Sequence, residues 1–161
     1  MKEISSIHNS YIKNLVKLQE KSRERKKQRL FIIEGKREIS LAISSNYEVD
    51  TVLYSPDIIS EKDILHLFNA NINRIEISKE VYQKLAYRGS TEGIIAVTNS
   101  KEFSLENIKF KNDNPLILVA EGLEKPGNIG ALLRTADAAN IDAVLIANPK
   151  SDLYNTNIIR S

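Results

Sequence analysis

Apolar positions in this chain recur with two periods. Ile12, Leu15 and Val16, with Gln19, follow helical spacing, so residues 10 to about 28 read as one helix. Leu30-Phe31-Ile32-Ile33 is a short apolar run of strand type, ending at Glu34-Gly35. Ile39, Ala42 and Ile43 mark a helix that stops near Ser45-Asn46, and Val49–Tyr54 is a strand closed by the turn Ser55-Pro56-Asp57. A helix near residues 60–70 carries Ile64, Leu65, Leu67 and Phe68. A short strand with Ile75 and Ile77 follows, then a helix with Ser78 as N-cap and a strand over Ile94–Thr98. Strands alternating with helices predict an α/β/α layer structure on a mostly parallel four-stranded sheet.

Residues 100–114 are polar, end before Pro115 and read as a linker. A second unit opens with the strand Leu116–Ala120, continues as a helix from about Ile129 to Ala139, and returns as a strand over Asp142–Ala147. Asn140 stands where a left-handed helix stop is expected. Asp113 to Ser161 is 49 residues. One βαβ unit of that length leaves a two-stranded parallel sheet with open edges, so the second unit is expected to be incomplete or to lean on another chain.

Composition sets limits on the chemistry. The longest apolar runs, such as Leu116–Ala120, are far shorter than the roughly 18 residues a membrane helix needs. There is no Cys, hence no disulfide or thiolate metal site, and His8 and His66 are too scattered for a zinc cluster. His66, beside Leu65 and Leu67, reads as a partly covered helix residue. These limits predict a soluble, cytoplasmic protein without a structural metal or a membrane partner. The net charge of +2 conceals an asymmetry: residues 1–37 hold eleven Lys/Arg against four Asp/Glu, and the rest holds twelve against seventeen. The densest stretch contains Lys21, Arg23, Arg25, Lys26, Lys27 and Arg29 with one acid, Glu24. Such a run is either a polyanion-binding arm or a solvated helix face.

Pro126-Gly127-Asn128-Ile129-Gly130 and Arg134-Thr135-Ala136 carry the most chemistry. Ile129, Leu132, Leu133 and Ala136 form an apolar stripe, which leaves Arg134 off it, one turn after Gly130. Side chains on a helix lean toward its N-terminus, so the guanidinium is expected to fold back over the space left by the missing Cβ. There it would meet Asn128 and the first-turn N–H groups, a setting that suits a phosphate or sugar-phosphate. An ordinary strand-to-helix turn with a surface arginine accounts for the same residues.

The same segment resembles the first motif of the SPOUT RNA methyltransferases, in the TrmH/SpoU branch that methylates ribose 2′-hydroxyls. Phe31-Ile32-Ile33-Glu34-Gly35 is similar to the opening of that family's substrate-binding domain, which is of the L7Ae/L30e ribosomal-protein type. Thr91-Glu92-Gly93-Ile94 matches its last strand, with Glu92 where Gln is usual, and Asn140 stands where Gly is common. The entry segment Ser6–Leu18 and the basic helix are also similar. The resemblance implies a basic helical segment over 1–29, an RNA substrate-binding domain over 30–99, a linker over 100–114 and the N-terminal part of a SPOUT domain over 115–161. It implies Arg134 and Asn128 as catalytic, and Gly127, Gly130, Lys21, Arg23, Arg25, Lys26, Lys27 and Arg29 as substrate-binding. It implies RNA as the partner, the two-domain layout leaning toward ribosomal RNA with transfer RNA left open, and S-adenosylmethionine as the cofactor. The family's knot, its cofactor pocket and much of its homodimer interface reside in two further motifs absent from these 161 residues, so this chain alone is expected to be inactive. Two alternatives stay open: a non-enzymatic RNA-binding module, and a mononucleotide binder built on the βαβ unit. Tyr87 and Arg88 are candidates to touch RNA, although a helix-end position explains them equally well.

Overall fold

A computed structural model describes residues 2–68, 72–87, 92–110 and 112–161. It divides into two units, Met1–Ser100 and Lys101–Ser161.

In the first unit the elements follow the apolar periodicity closely. They are β1 (Lys2–Ile4), α1 (Ser10–Glu20), α2 (Ser22–Gln28), β2 (Leu30–Glu34), α3 (Lys36–Ser44), β3 (Val49–Tyr54), α4 (Glu61–Leu67), β4 (Asn73–Ile77), α5 (Lys79–Leu85) and β5 (Ile94–Asn99). Polar side chains start the helices by accepting orphan N–H groups. Asn9 accepts from Tyr11, Ser60 from Asp63 and Ser78 from Val81. Ser60 also donates to the Asp63 carboxylate at 2.7 Å, a reciprocal cap that holds the acid below its usual pKa.

The strands form one sheet in the order β1-β4-β3-β5-β2, a mixed α/β architecture. Alternate strand positions feed opposite faces. Ile32, Leu53, Ile75, Ile77, Ile95 and Val97 join a core with Ile12, Leu15 and Leu18 of α1 and Val81, Tyr82 and Leu85 of α5. Phe31, Ile33, Val52, Tyr54, Ile94 and Ala96 have the opposite parity and are equally buried, as are Ile39 and Ala42 of α3 and Ile64 of α4.

Four expectations for this unit need correction. The sheet has five strands, because Lys2–Ile4 adds a parallel edge strand to β4; three residues are too few to show a period. The sheet is not mostly parallel, since β5 runs antiparallel to both β2 and β3. The cause lies in the return from α5. That helix has only seven residues, and the chain re-enters at Gly93, whose N–H donates to the Tyr82 hydroxyl and whose C=O accepts from Ser55, just past the C-terminal end of β3. Starting from that end, β5 can only run backwards between its neighbours. Gly93 is at φ +73°, where a Cβ would run into Ile58. The predicted helix over 10–28 is two helices, broken at Lys21 in extended conformation. Finally, His66 is exposed rather than partly covered.

The second unit contains β6 (Ile117–Glu121), α6 (Pro126–Ala138), β7 (Ala143–Ala147) and α7 (Thr156–Ile159). β6 and β7 pair in parallel, Ile117 opposite Ala143 through Glu121 opposite Ala147, with α6 as the crossover. Ile129, Gly130 and Ala136 are its buried positions, while the outer face of β6 is open, Val119 being 63% exposed. Asn140 adopts φ +52°, the left-handed stop read from the sequence. Its N–H donates to Asp137 and that of Ile141 to Ala136, the paired bonds of a Schellman motif. The helix starts at Pro126 rather than near Ile129: proline suits the first helical position because its missing N–H would have no partner there. Residues 101–110 and 112–114 are not bare. Phe103 stacks on Tyr154, Lys101 exchanges two main-chain hydrogen bonds with the Tyr154 hydroxyl, and Asn112 donates to Asp142. No helix among the described residues is long and apolar enough to cross a membrane.

Candidate functional site

The strand-to-helix junction of the second unit is set by main-chain chemistry. β6 ends at Glu121, whose carboxylate accepts from the Asn148 side chain after β7, and the Gly122 N–H donates to Ala147. The two strand ends are thereby tied together at the edge where ligands of parallel α/β units collect. The chain then passes Gly122 at φ +66°, with open space around it, and enters α6 through Lys125. The Lys125 carbonyl accepts the N–H groups of both Asn128 and Ile129.

Because α6 begins at Pro126, Gly127 and Asn128 belong to its first turn. At about 100° per residue, Gly127, Gly130 and Arg134 fall within roughly 60° of one another on one side of the helix. Asn128 does not share that side. It stands six positions before Arg134, about 9 Å lower along the axis and turned by about 120°. Gly127, Asn128 and Arg134 are exposed, and Gly130 is buried.

The expected placement of the guanidinium over Gly130 is corrected by Ser161. A Cβ on Gly130 would collide with the Ser161 side chain, which already fills that space. Arg134 reaches the same residue from one turn on, its Nη1 donating to the main-chain oxygen of Ser161 at 3.1 Å. No other hydrogen bond or ion pair holds Arg134 among the described residues, so a planar cation remains on the surface of α6.

The basic segment of the first unit divides in two. Lys21, Arg23, Lys26, Lys27 and Arg29 are exposed. Arg25 is 3% exposed, and its Nη1 donates to the carbonyls of Leu18 and Gln19 at 2.6 and 2.9 Å. Those carbonyls lose their helical partners where α1 stops, so Arg25 caps α1 from the following helix and is not a surface cation. The Glu34-Gly35 motif is likewise structural: buried Glu34 accepts the Tyr87 N–H at 2.8 Å, and Glu92 accepts the Lys36 N–H at the start of α3. Tyr87 is half-buried; Arg88 and Thr91 lie outside the described residues.

Sequence reasoning missed Lys13, Lys17 and Lys84. With Lys21, His8, Ile7, Val16 and Glu20 they line one surface groove. The four-residue spacing of Lys13, Lys17 and Lys21 was the available signal. Among the described residues no group of three or more His, Cys, Asp or Glu is placed to hold a metal ion.

Residues 9–96 match the MRM3-like substrate binding domain and residues 115–161 the SpoU rRNA Methylase family. Over its whole length the chain is 29% identical to the 23S rRNA (guanosine(2553)-2′-O)-methyltransferase RlmP of Bacillus subtilis, of which it covers 60%. A solved RNA 2′-O ribose methyltransferase superimposes with a TM-score of 0.81 at 40% identity, over 98% of this chain and 60% of that one. The SpoU methyltransferase AviRb of Streptomyces viridochromogenes, solved in complex with AdoMet, shares the fold at a TM-score of 0.85 and 24% identity, over 96% of this chain and 58% of that one. The chain thus spans no more than about 60% of the length of these relatives. With one model matched over more than half its residues and the second matched C-terminal to it, the chain belongs to the SpoU/TrmH family of RNA methyltransferases.

Proposed function

We propose that this chain supplies the RNA-holding and ribose-handling parts of an S-adenosylmethionine-dependent methyltransferase that modifies a ribose 2′-hydroxyl in ribosomal RNA. The observation that carries this reading is the tandem order of the two matched models, with the exposed Arg134 on the second. Residues 30–99, with the basic segment 1–29 packed on them, are read as an RNA substrate-binding domain of L7Ae/L30e type. Residues 115–161 are read as the N-terminal part of a SPOUT domain joined through 100–114.

S-adenosylmethionine is not readily accommodated by the described residues alone. The strand ends offer Glu121, already bonded to Asn148, and an open loop at Gly122, which do not enclose a nucleoside. We place its pocket, the knot and the homodimer interface in the part of the longer relatives that this chain does not cover, and route no step through the cofactor here.

What Arg134 contributes follows from its charge. A guanidinium has five N–H donors and no acceptor, so it serves poorly as a general base. As a cation it grips the phosphate next to the target ribose with two parallel N–H groups and stabilises the alkoxide developing on the 2′-oxygen. A phosphate oxygen or water takes the proton. Releasing Ser161 to do so gives up one exposed hydrogen bond, worth about 1 kcal/mol. Gly127, with open space beside it, keeps the first turn of α6 free of bulk, and Asn128 holds the loop or the substrate on the adjoining side. Deleting the gene and mapping ribose 2′-O-methyl groups across ribosomal RNA tests the reading: one mark should vanish, and an unchanged methylation map overturns it.

A further inference from the structure

One feature of the first unit is unexplained by packing. α1 buries Ile12, Leu15 and Leu18. At about 100° per residue, Lys13, Val16, Lys17 and Glu20 centre roughly 150° away from that stripe. This face forms a groove of about 500 Å³ with Ile7 and His8 before the helix, Lys21 after it and Lys84 from α5. His8, Lys13, Lys17, Lys21 and Lys84 are exposed, while Ile7 and Val16 are half-buried. Four ammonium groups thus converge on one depression that holds one carboxylate, Glu20. No ion pair neutralises any of the four lysines among the described residues.

Like charges crowded without partners cost folding free energy, and exposed lysines gain nothing from a groove as such. Their arrangement matches an extended polyanion. Lys13, Lys17 and Lys21 advance in steps of about 6 Å along the helix axis, and a row of point charges at a regular step suits successive phosphates of one strand. Lys21 is also the residue at which α1 ends and α2 begins, so the row runs into the exposed cations Arg23, Lys26 and Lys27.

We infer that the groove between α1 and α5 is a track for the sugar-phosphate backbone of the substrate RNA, with Lys13, Lys17, Lys21 and Lys84 as its phosphate contacts. The inference rests on the RNA substrate proposed above and adds a surface to it. Contacts of this kind hold and orient RNA without reading its bases.

The test uses the full chain and a fluorescently labelled ribosomal RNA stem-loop, with binding followed by anisotropy between about 50 and 200 mM salt. Wild type is compared with the triple variant Lys13→Gln, Lys17→Gln, Lys84→Gln and with the same three positions changed to Arg. These substitutions lie at exposed positions and should leave the urea unfolding midpoint unchanged. Each lost phosphate contact lowers the slope of log affinity against log salt by about 0.7–0.9, so the Gln variant should lose about 2–3 of slope and the Arg variant almost none. A Gln variant that binds like wild type overturns the groove and leaves the substrate reading intact. Wild type that fails to bind the stem-loop, or binds it without salt dependence, overturns the substrate reading and the groove with it. Loss of binding to phosphatidylserine vesicles in the Gln variant, with RNA binding retained, would reassign the groove to a lipid surface and likewise overturn the inference.

Discussion

Arg25 and Lys26 are adjacent in sequence and differ completely in role. Arg25 is buried against the Leu18 and Gln19 carbonyls, so Arg25→Gln removes a charge-assisted cap and should cost about 2–4 kcal/mol, read from urea unfolding. Lys26→Gln should cost no more than about 0.5 kcal/mol. Tyr54 gives a second residue-scale outcome. It is fully buried, and its hydroxyl donates to Glu76 at 2.8 Å. Burial first, then that bond to an acid, push the phenol above its ordinary value of 10.0. The unfolded chain therefore ionises at lower pH than the folded one. This contribution to stability is complete below pH 10 and is lost as pH rises above it toward the folded-state value. Tyr54→Phe should lower stability at neutral pH by about 1 kcal/mol and flatten the alkaline loss.

Local stops and starts explain which elements were readable. Asn140 was legible as a left-handed helix end because few side chains tolerate positive φ, and the Schellman bonds at φ +52° follow from it. Asn140→Ala should therefore destabilise the second unit by about 1 kcal/mol and Asn140→Gly should not, a difference visible in urea midpoints. The break at Lys21 was not legible, since no Gly or Pro marks it and the partner of the freed carbonyls, Arg25, looks in sequence like any other cation of the run. Gly130 shows the same limit in another form. The glycine was read as making room for Arg134, and the residue it admits is Ser161, thirty-one positions on. Gly130→Ala gains up to about 1 kcal/mol of helix propensity. The new Cβ would nevertheless displace Ser161, and amide-exchange protection over Thr156–Ile159 should fall.

For the molecule as a whole, periodicity located the strands of five or six residues and the helices of seven or more, except that it merged α1 with α2, whereas the pairing of β5 lay beyond its reach. Whether β5 enters from one end of β3 or the other depends on Gly93 meeting Tyr82 and Ser55, a tertiary contact with no sequence period. The residues that carry the family likeness, Phe31 to Gly35 at β2 and Pro126 to Ala136 in α6, were legible through that resemblance and not through any hydrophobic period. The lysine row was visible as a spacing but lacked Lys84, which only the packing of α5 beside α1 supplies. The central claim concerns the charged, planar fork of Arg134 at the ribose. Its most direct measurement is the methyl stoichiometry at the ribosomal position lost on gene deletion, after complementation with the wild-type gene or with Arg134→Lys. Wild type should restore the mark, and the lysine variant should methylate about 10- to 100-fold more slowly, the loss of one bidentate charge-assisted contact. Restoration at the wild-type rate by lysine would contradict the account.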